Sequence, residues 1–204
     1  MTQIPQNRYS VDDWNNEYRC GLHKRKWDLE WPAVDLVATV SALGLSRGLS
    51  ALELGCGTGS DALFLASKGF IVTAVDVSSE ALAMARRRAD AASLAVEFRE
   101  ASVFDLPIPD ATVDFATDRG CLHSLPIHDW SRYANELARV LRPGGHALLR
   151  GCGHHQQIEF TSISRERVET YFDVGRFEHC AIEPIKLCAS FGHMMALLVL
   201  LRRI

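Results

Sequence analysis

Short apolar runs begin at Ser50 and recur toward the C-terminus, each followed by a stretch long enough and amphipathic enough for a helix. SALEL precedes DALFLASKG, IVTAVD precedes SEALAMARRRADAA, and LAVEFRE precedes a turn-rich stretch and TVDFATD. Such alternation predicts a parallel sheet with helices on both faces. A helix over Trp130 to Leu141 is closed by RPGG, where Pro143 and the paired glycines reverse the chain before the strand HALLRG. A helix from about Ser164 to Phe172 follows. CAIEPIKLC and HMMALLVLLRR, with a turn-like gap between them, then predict an antiparallel hairpin on one sheet edge. Ahead of Ser50, VDDWNNEYRC and Pro32 to Leu43 read as two short helices, the second with Pro32 in its first turn and Gly44 as its stop. No repeat, low-complexity tract or linker interrupts the pattern, so residues 1–204 are expected to form one domain.

A chain of 204 residues with 48% hydrophobic and 23% charged residues is long enough for one sizeable core. Its net charge of -3 excludes a broad basic surface, and with it an electrostatic nucleic-acid binder. The basic run Arg86 to Arg88 and the pair Arg202, Arg203 read as solvated faces rather than an RNA-binding surface. Met1 to Ser10 is polar, unlike a secretory signal, and the longest apolar run, Met194 to Leu201, is too short to span a bilayer. The expected location is cytoplasmic. The cysteines form no CxxC pair, which points to free thiols in a reducing compartment.

Glycines at 55, 57 and 59 directly after SALEL place a nearly bare loop at the carboxyl end of a buried strand, where open α/β sheets bind ligands. Glycine permits positive φ and close approach to the main chain, and the amides of the next helix face the ligand. The third glycine of a dinucleotide fingerprint is replaced by Ser60, which argues against a nicotinamide-dependent oxidoreductase. Asp76 ends the second strand about twenty residues on, where a carboxylate can accept both hydroxyls of a ribose. The bland alternative for Asp76 is a helix N-cap, a task Ser78 or Ser79 performs equally well.

ELGCGTG, AVDVS, SVFDLP, DFATDRG and LARVLRPGGHALL, in this order and at these intervals, resemble the successive motifs of class I S-adenosylmethionine-dependent methyltransferases. The resemblance runs from about Ser50 to the C-terminus. It implies a Rossmann-like, seven-stranded, mostly parallel sheet with an antiparallel C-terminal hairpin strand, and S-adenosylmethionine as cofactor. By position it implies that Glu53, Gly55 and Gly57 border the methionine part, Asp76 the ribose, and Ser102 with Val103 the adenine, with Val77 packed on the adenine face and Cys56 and Gly59 of the same loop also binding the cofactor. The family often has an acidic residue where Ser102 stands, which leaves Asp105 as a substitute. More narrowly, DDWNNEYRCG, KWDLEWP and DRGCLHSLP are similar to small bacterial thiol and thiopurine S-methyltransferases. This implies that residues 1–48 cover the site through Trp14, Tyr18 and Trp27, and that Asp118, Arg119 and Gly120 line its methyl-donating end. Core packing is the alternative for the tryptophans.

Methyl transfer from a sulfonium gains most of its rate from positioning in a water-poor pocket. A thiol, with a pKa of about 8.5, is already partly ionised near neutrality, whereas a hydroxyl or ammonium needs a base. The expected function is therefore transfer of a methyl group to a small-molecule acceptor, a thiol sulfur first and oxygen or nitrogen next, without nucleic-acid or membrane partners. His123 is the candidate base, with Arg119, Arg150 and the loop His154 to Gln157 around the acceptor. Cys121, His123, Cys152, His154 and His155 also offer soft sulfur and imidazole ligands, but their spacing matches no structural zinc pattern and no metal is expected. The reading from another class is a catalytically silent cofactor-binding protein.

Overall fold

The computed structural model describes residues 9–153, 160–189 and 192–204. Its centre is β1 (Ser50–Leu54), flanked by β2 (Ile71–Asp76) and then β3 (Glu97–Glu100) on one side. On the other side come β4 (Val113–Arg119), β5 (Leu141–Cys152), β7 (Gly192–Arg203) and β6 (Phe177–Ala189). The order is β3-β2-β1-β4-β5-β7-β6, and β7 runs antiparallel to both of its neighbours. The expected mostly parallel sheet with an antiparallel edge hairpin is the observed fold.

Side-chain alternation divides the core in two. Ala51, Val72, Ala74, Phe115 and Leu148 pack on one face with α2 (Val34–Ala42), α3 (Ser60–Ser67) and α4 (Ser79–Ala92). Leu52, Leu54, Val75, Ala116, Ala147 and Leu149 face the other way, against α5 (Trp130–Val140) and α6 (Arg165–Tyr171). Within α5, Trp130, Tyr133, Ala134, Leu137 and Ala138 are buried, the i, i+3, i+4 stripe that fixes a helix on a sheet. Strands covered on both faces explain why β1 and β2 read as nearly continuous apolar runs.

RPGG does not separate a helix from a strand as expected. Leu141 already pairs with Val113, and the next pairing, His146 with Phe115, leaves Arg142 to Gly145 as a bulge within β5. Gly144 takes φ +83 there, and a Cβ on Gly145 would lie 3.0 Å from two carbonyl oxygens.

Helix α1 (Val11–Arg19) opens with a reciprocal Ser10 and Asp13 capping box and docks on the start of α4. Asn15 Oδ1 accepts the Ser78 hydroxyl at 2.8 Å, and Arg19 pairs with Glu80 at 3.1 Å. Arg88, expected on a solvated face, instead donates to Thr58 O, Ser60 Oγ and Glu30 O, clamping the glycine loop to the segment before α2. Arg203 likewise donates to the Ala138 and Arg176 carbonyls. Among the described residues no helix is long and apolar enough to cross a membrane.

Candidate active site

The crossovers from β1 and β4 leave in opposite directions, so a crevice opens at the carboxyl ends of these two strands. A cavity of about 640 Å³ occupies it. Gly55, Gly57 and Gly59 all have positive φ, at +63, +52 and +81. A Cβ on Gly55 would lie 2.6 Å from Cys121 Cβ, and one on Gly57 would lie 2.8 Å from the Tyr18 hydroxyl. On Gly59 it would lie 3.2 Å from Ala85 Cβ, turned toward α4 and away from the cavity. The loop is bare because protein packs against it as well as because a ligand can. Gly55→Ala is therefore expected to cost ~1–3 kcal/mol, read as a lowered unfolding midpoint in urea, since strain and overlap act together.

Asp76 holds this loop and faces the cavity. Gly57 N–H donates to Oδ2 and Ser78 N–H to Oδ1, both at 2.8 Å, and each oxygen keeps a second lone pair. Burial raises the carboxyl above its ordinary range against the pull of those backbone donors. Helix capping at α4 is done by Ser78, whose hydroxyl accepts from Ala81 N–H at 3.1 Å, so Asp76 is not needed for it. Glu53 also lines the cavity and accepts Ala62 N–H at 2.7 Å. Burial, with Asp61 beside it, pushes the Glu53 carboxyl well up.

Cys56, Val77, Ser102 and Val103 line the same cavity. So do Trp14 and Trp27, whose rings meet edge to face at 5.7 Å, with Tyr9 stacked on Trp14 at 4.8 Å. Tyr18 lies beneath them, and burial raises its phenol well above the usual range. Arg119, Gly120, Cys121 and His123 line the cavity too, with Cys121 against Gly55. Phe160, packed on His123, and Leu187 and Met194 complete the lining, and none of the three was expected from sequence. Leu187 and Met194 are paired in register near the end of the β6–β7 hairpin, which overhangs the crevice.

Besides Gly59, three expected positions lie elsewhere. Asp118 is buried behind the cavity wall, where its carboxylate accepts Cys121 N–H at 2.8 Å, Leu122 N–H at 2.9 Å and the Tyr133 hydroxyl at 2.7 Å. Burial pushes its pKa up to about 6, and its contacts make it a strut for the loop after β4. Arg150 is fully buried and bonded to Asp35, Asp61 and Thr117, away from the cavity. Asp105 is exposed and does not line the cavity either. His154, His155 and Gln157 lie outside the described residues. Among the described residues no group of three or more His, Cys, Asp or Glu side chains could hold a metal.

Residues 51–145 match the family described as "Methyltransferase domain". This part of the chain, just under half of it, is thus similar to a methyltransferase domain. Its fold is the Rossmann-like methyltransferase fold. The domain is similar to a "Fatty-acid O-methyltransferase" of Mycolicibacterium smegmatis, 35% identical over 57% of this chain and 42% of that protein. It is also similar to the "27-O-demethylrifamycin SV methyltransferase" of Amycolatopsis mediterranei, 33% identical over 63% of this chain and 50% of that one. The chain thus spans about half the length of the curated relatives it matches. A solved structure described as "Conversion of a Disulfide Bond into a Thioacetal Group during Echinomycin Biosynthesis" superposes with a TM-score of 0.83 at 26% identity, over 95% of this chain and 93% of that one. The residues at the crevice fit S-adenosylmethionine chemically: a cradle of positive-φ glycines at a strand end and a buried carboxylate with free lone pairs suit a nucleoside and an amino-acid moiety.

Proposed function

We propose that this chain transfers the methyl group of S-adenosylmethionine to a small organic acceptor, with sulfur as the first choice of acceptor atom. The observation that carries the reading is the cavity itself, which is lined both by the glycine loop and Asp76 and by His123, Phe160, Leu187 and Met194. In this reading Asp76 holds the ribose, Val77 packs on the adenine, and Ser102 and Val103 contact its edge. Glu53, Gly55, Cys56 and Gly57 border the methionine part, and the Arg119 guanidinium, which lines the cavity 3.9 Å from Asp61, offers donors to a carboxylate there. Trp14, Tyr18 and Trp27, within residues 1–48, cover the site and keep water out. Gly59 acts through loop conformation and Asp118 through the loop it braces; neither touches the cofactor.

Sulfur is favoured by the likeness to the structure described as converting a disulfide bond into a thioacetal, because that likeness extends over nearly the whole chain. Oxygen is the second reading, favoured by the names of the two curated relatives, whose likeness covers 57% and 63% of it. Calorimetry tests the cofactor: micromolar binding of S-adenosylhomocysteine and none of NAD is expected, and the reverse pattern would sink the proposal. A panel of thiols, phenols and amines with S-adenosylmethionine then ranks the acceptors. Faster turnover of phenols than of thiols would replace sulfur by oxygen.

A further inference from the structure

His123 sits in the short 3-10 turn Leu122–Ser124, and the hydrogen bonds around it fix which ring nitrogen carries the proton. Strand β4 ends at Arg119, while β5 continues to Cys152. The last ladder contact between them is Gly120 N–H to Arg150 O at 2.9 Å. Beyond it Cys152 N–H has no strand partner on that side, and the imidazole takes the vacated place: Cys152 N–H donates to His123 Nδ1 at 2.9 Å. The surroundings hold the ring there. Phe160 packs on it at 4.5 Å, Thr161 N–H donates to the His123 carbonyl at 2.8 Å, and Ile163 N–H donates to the Cys152 carbonyl at 2.8 Å.

A nitrogen that accepts a hydrogen bond carries no proton, so the single N–H of a neutral imidazole must be on Nε2. We infer that His123 presents a permanent Nε2–H donor at the acceptor end of the cavity and positions the acceptor, rather than removing a proton from it. The ring edge bearing Cε1 and Nε2 lies toward Gly120, which lines the cavity, whereas Nδ1 is turned to Gly151 and Cys152 on β5. Protonating Nδ1 would set two N–H groups against each other and strand the buried Cys152 amide, an outcome folded proteins avoid. Burial acts in the same direction, taking the imidazole down to about 4. The titratable groups around it do not oppose this. Cys121 and Cys152 are thiols raised by burial, the Asp118 carboxylate is bound by Tyr133 and two backbone amides, and Arg119 lines the same cavity. Among the described residues, Gly120, Gly151, Phe160 and Ile163 around the ring are themselves uncharged.

The inference rests on the methyltransferase reading only for the identity of the group His123 faces. A donor there suits an acceptor that offers a lone pair and needs no proton taken by His123: a thiolate, a thioether or disulfide sulfur, or a ring nitrogen. Carbonyl neighbours of the acceptor atom suit it too.

The test is a long-range proton–nitrogen correlation spectrum of the full chain with nitrogen-15 histidine, recorded between pH ~5 and ~8. It is recorded alone and with saturating S-adenosylhomocysteine. One ring is assigned to His123 by its loss in His123→Gln or, should that variant not fold, by its shift in Phe160→Leu. The expected pattern is a pyrrole-type Nε2 and a pyridine-type Nδ1 that do not titrate across the window, in both samples. A proton on Nδ1, or a titration midpoint inside the window, would overturn the inference. Absence of S-adenosylhomocysteine binding would count against the methyltransferase reading alone, because the spectrum without ligand still reports the tautomer.

Discussion

Asp76→Ala is expected to weaken S-adenosylhomocysteine binding at least ~30-fold, about 2 kcal/mol, measured by calorimetry on the full chain. Two losses combine. The proposed bonds from ribose hydroxyls to an ionised acceptor are of the stronger kind, ~1.5–3 kcal/mol each. The carboxylate also fixes Gly57 and Ser78 through their amides, so its removal frees the loop that must be in place before the ligand arrives. Asp76→Asn separates the two: it keeps the volume and one acceptor oxygen, but turns an amine toward either the loop or the ligand. The asparagine variant should bind more tightly than alanine and more weakly than the parent, with an unfolding midpoint close to the parent. Affinity of Asp76→Ala within twofold of the parent would show that the ribose is held elsewhere.

The fold was legible because its signals are local and repeated. Strand-length apolar runs separated by amphipathic helices dictated the parallel core, and two long strands in succession dictated the hairpin. Alternation along β4 also contained information that was not used. Phe115 faces α3, and successive strand residues point to opposite sides, so Thr117 and Arg119 share its face while Ala116 and Asp118 face α5. Asp118 is thus turned to Tyr133 by parity, and no position after a strand end can be assigned to a site without it. The same parity puts Arg150, paired with Arg119 in register, on the α3 face beside Asp61. Leu187 and Met194 were hidden for another reason. How far a hairpin overhangs the sheet depends on register with β5, which starts pairing β7 at His146 and stops at Cys152, and this is a long-range property. His123 was legible as a residue of the site but not as a donor, because its tautomer is set by an amide twenty-nine residues away.

Asp61→Ala is expected to destabilise the fold by ~3–5 kcal/mol, read from urea unfolding, because it leaves the buried Arg150 charge short of a partner. The guanidinium is fully buried; it donates to Asp61 at 2.8 Å, Asp35 at 2.9 Å and Thr117 Oγ1 at 2.6 Å, while its Nε has no partner. Asp35 alone compensates poorly, since its side chain is partly solvated, at 20% exposure, whereas that of Asp61 is at 0%. Asp61 also accepts Ala33 N–H at 3.0 Å, so its loss loosens the start of α2. Burial raises the Asp61 carboxyl, but Arg150 and Arg119 outweigh it and hold it below the ordinary range. A lowered carboxyl stabilises the fold above its unfolded pKa of ~3.9, and that stability is lost as pH falls through the folded value. Asp61→Ala should therefore abolish a share of the acid dependence as well as stability near neutrality. Removing both charges, in Asp61→Ala with Arg150→Met, should cost less than the sum of the single variants, with a coupling of at least ~2 kcal/mol. A cost below ~1 kcal/mol for Asp61→Ala, or additive single variants, would mean that water reaches Arg150 and that its burial does not govern the stability of this face.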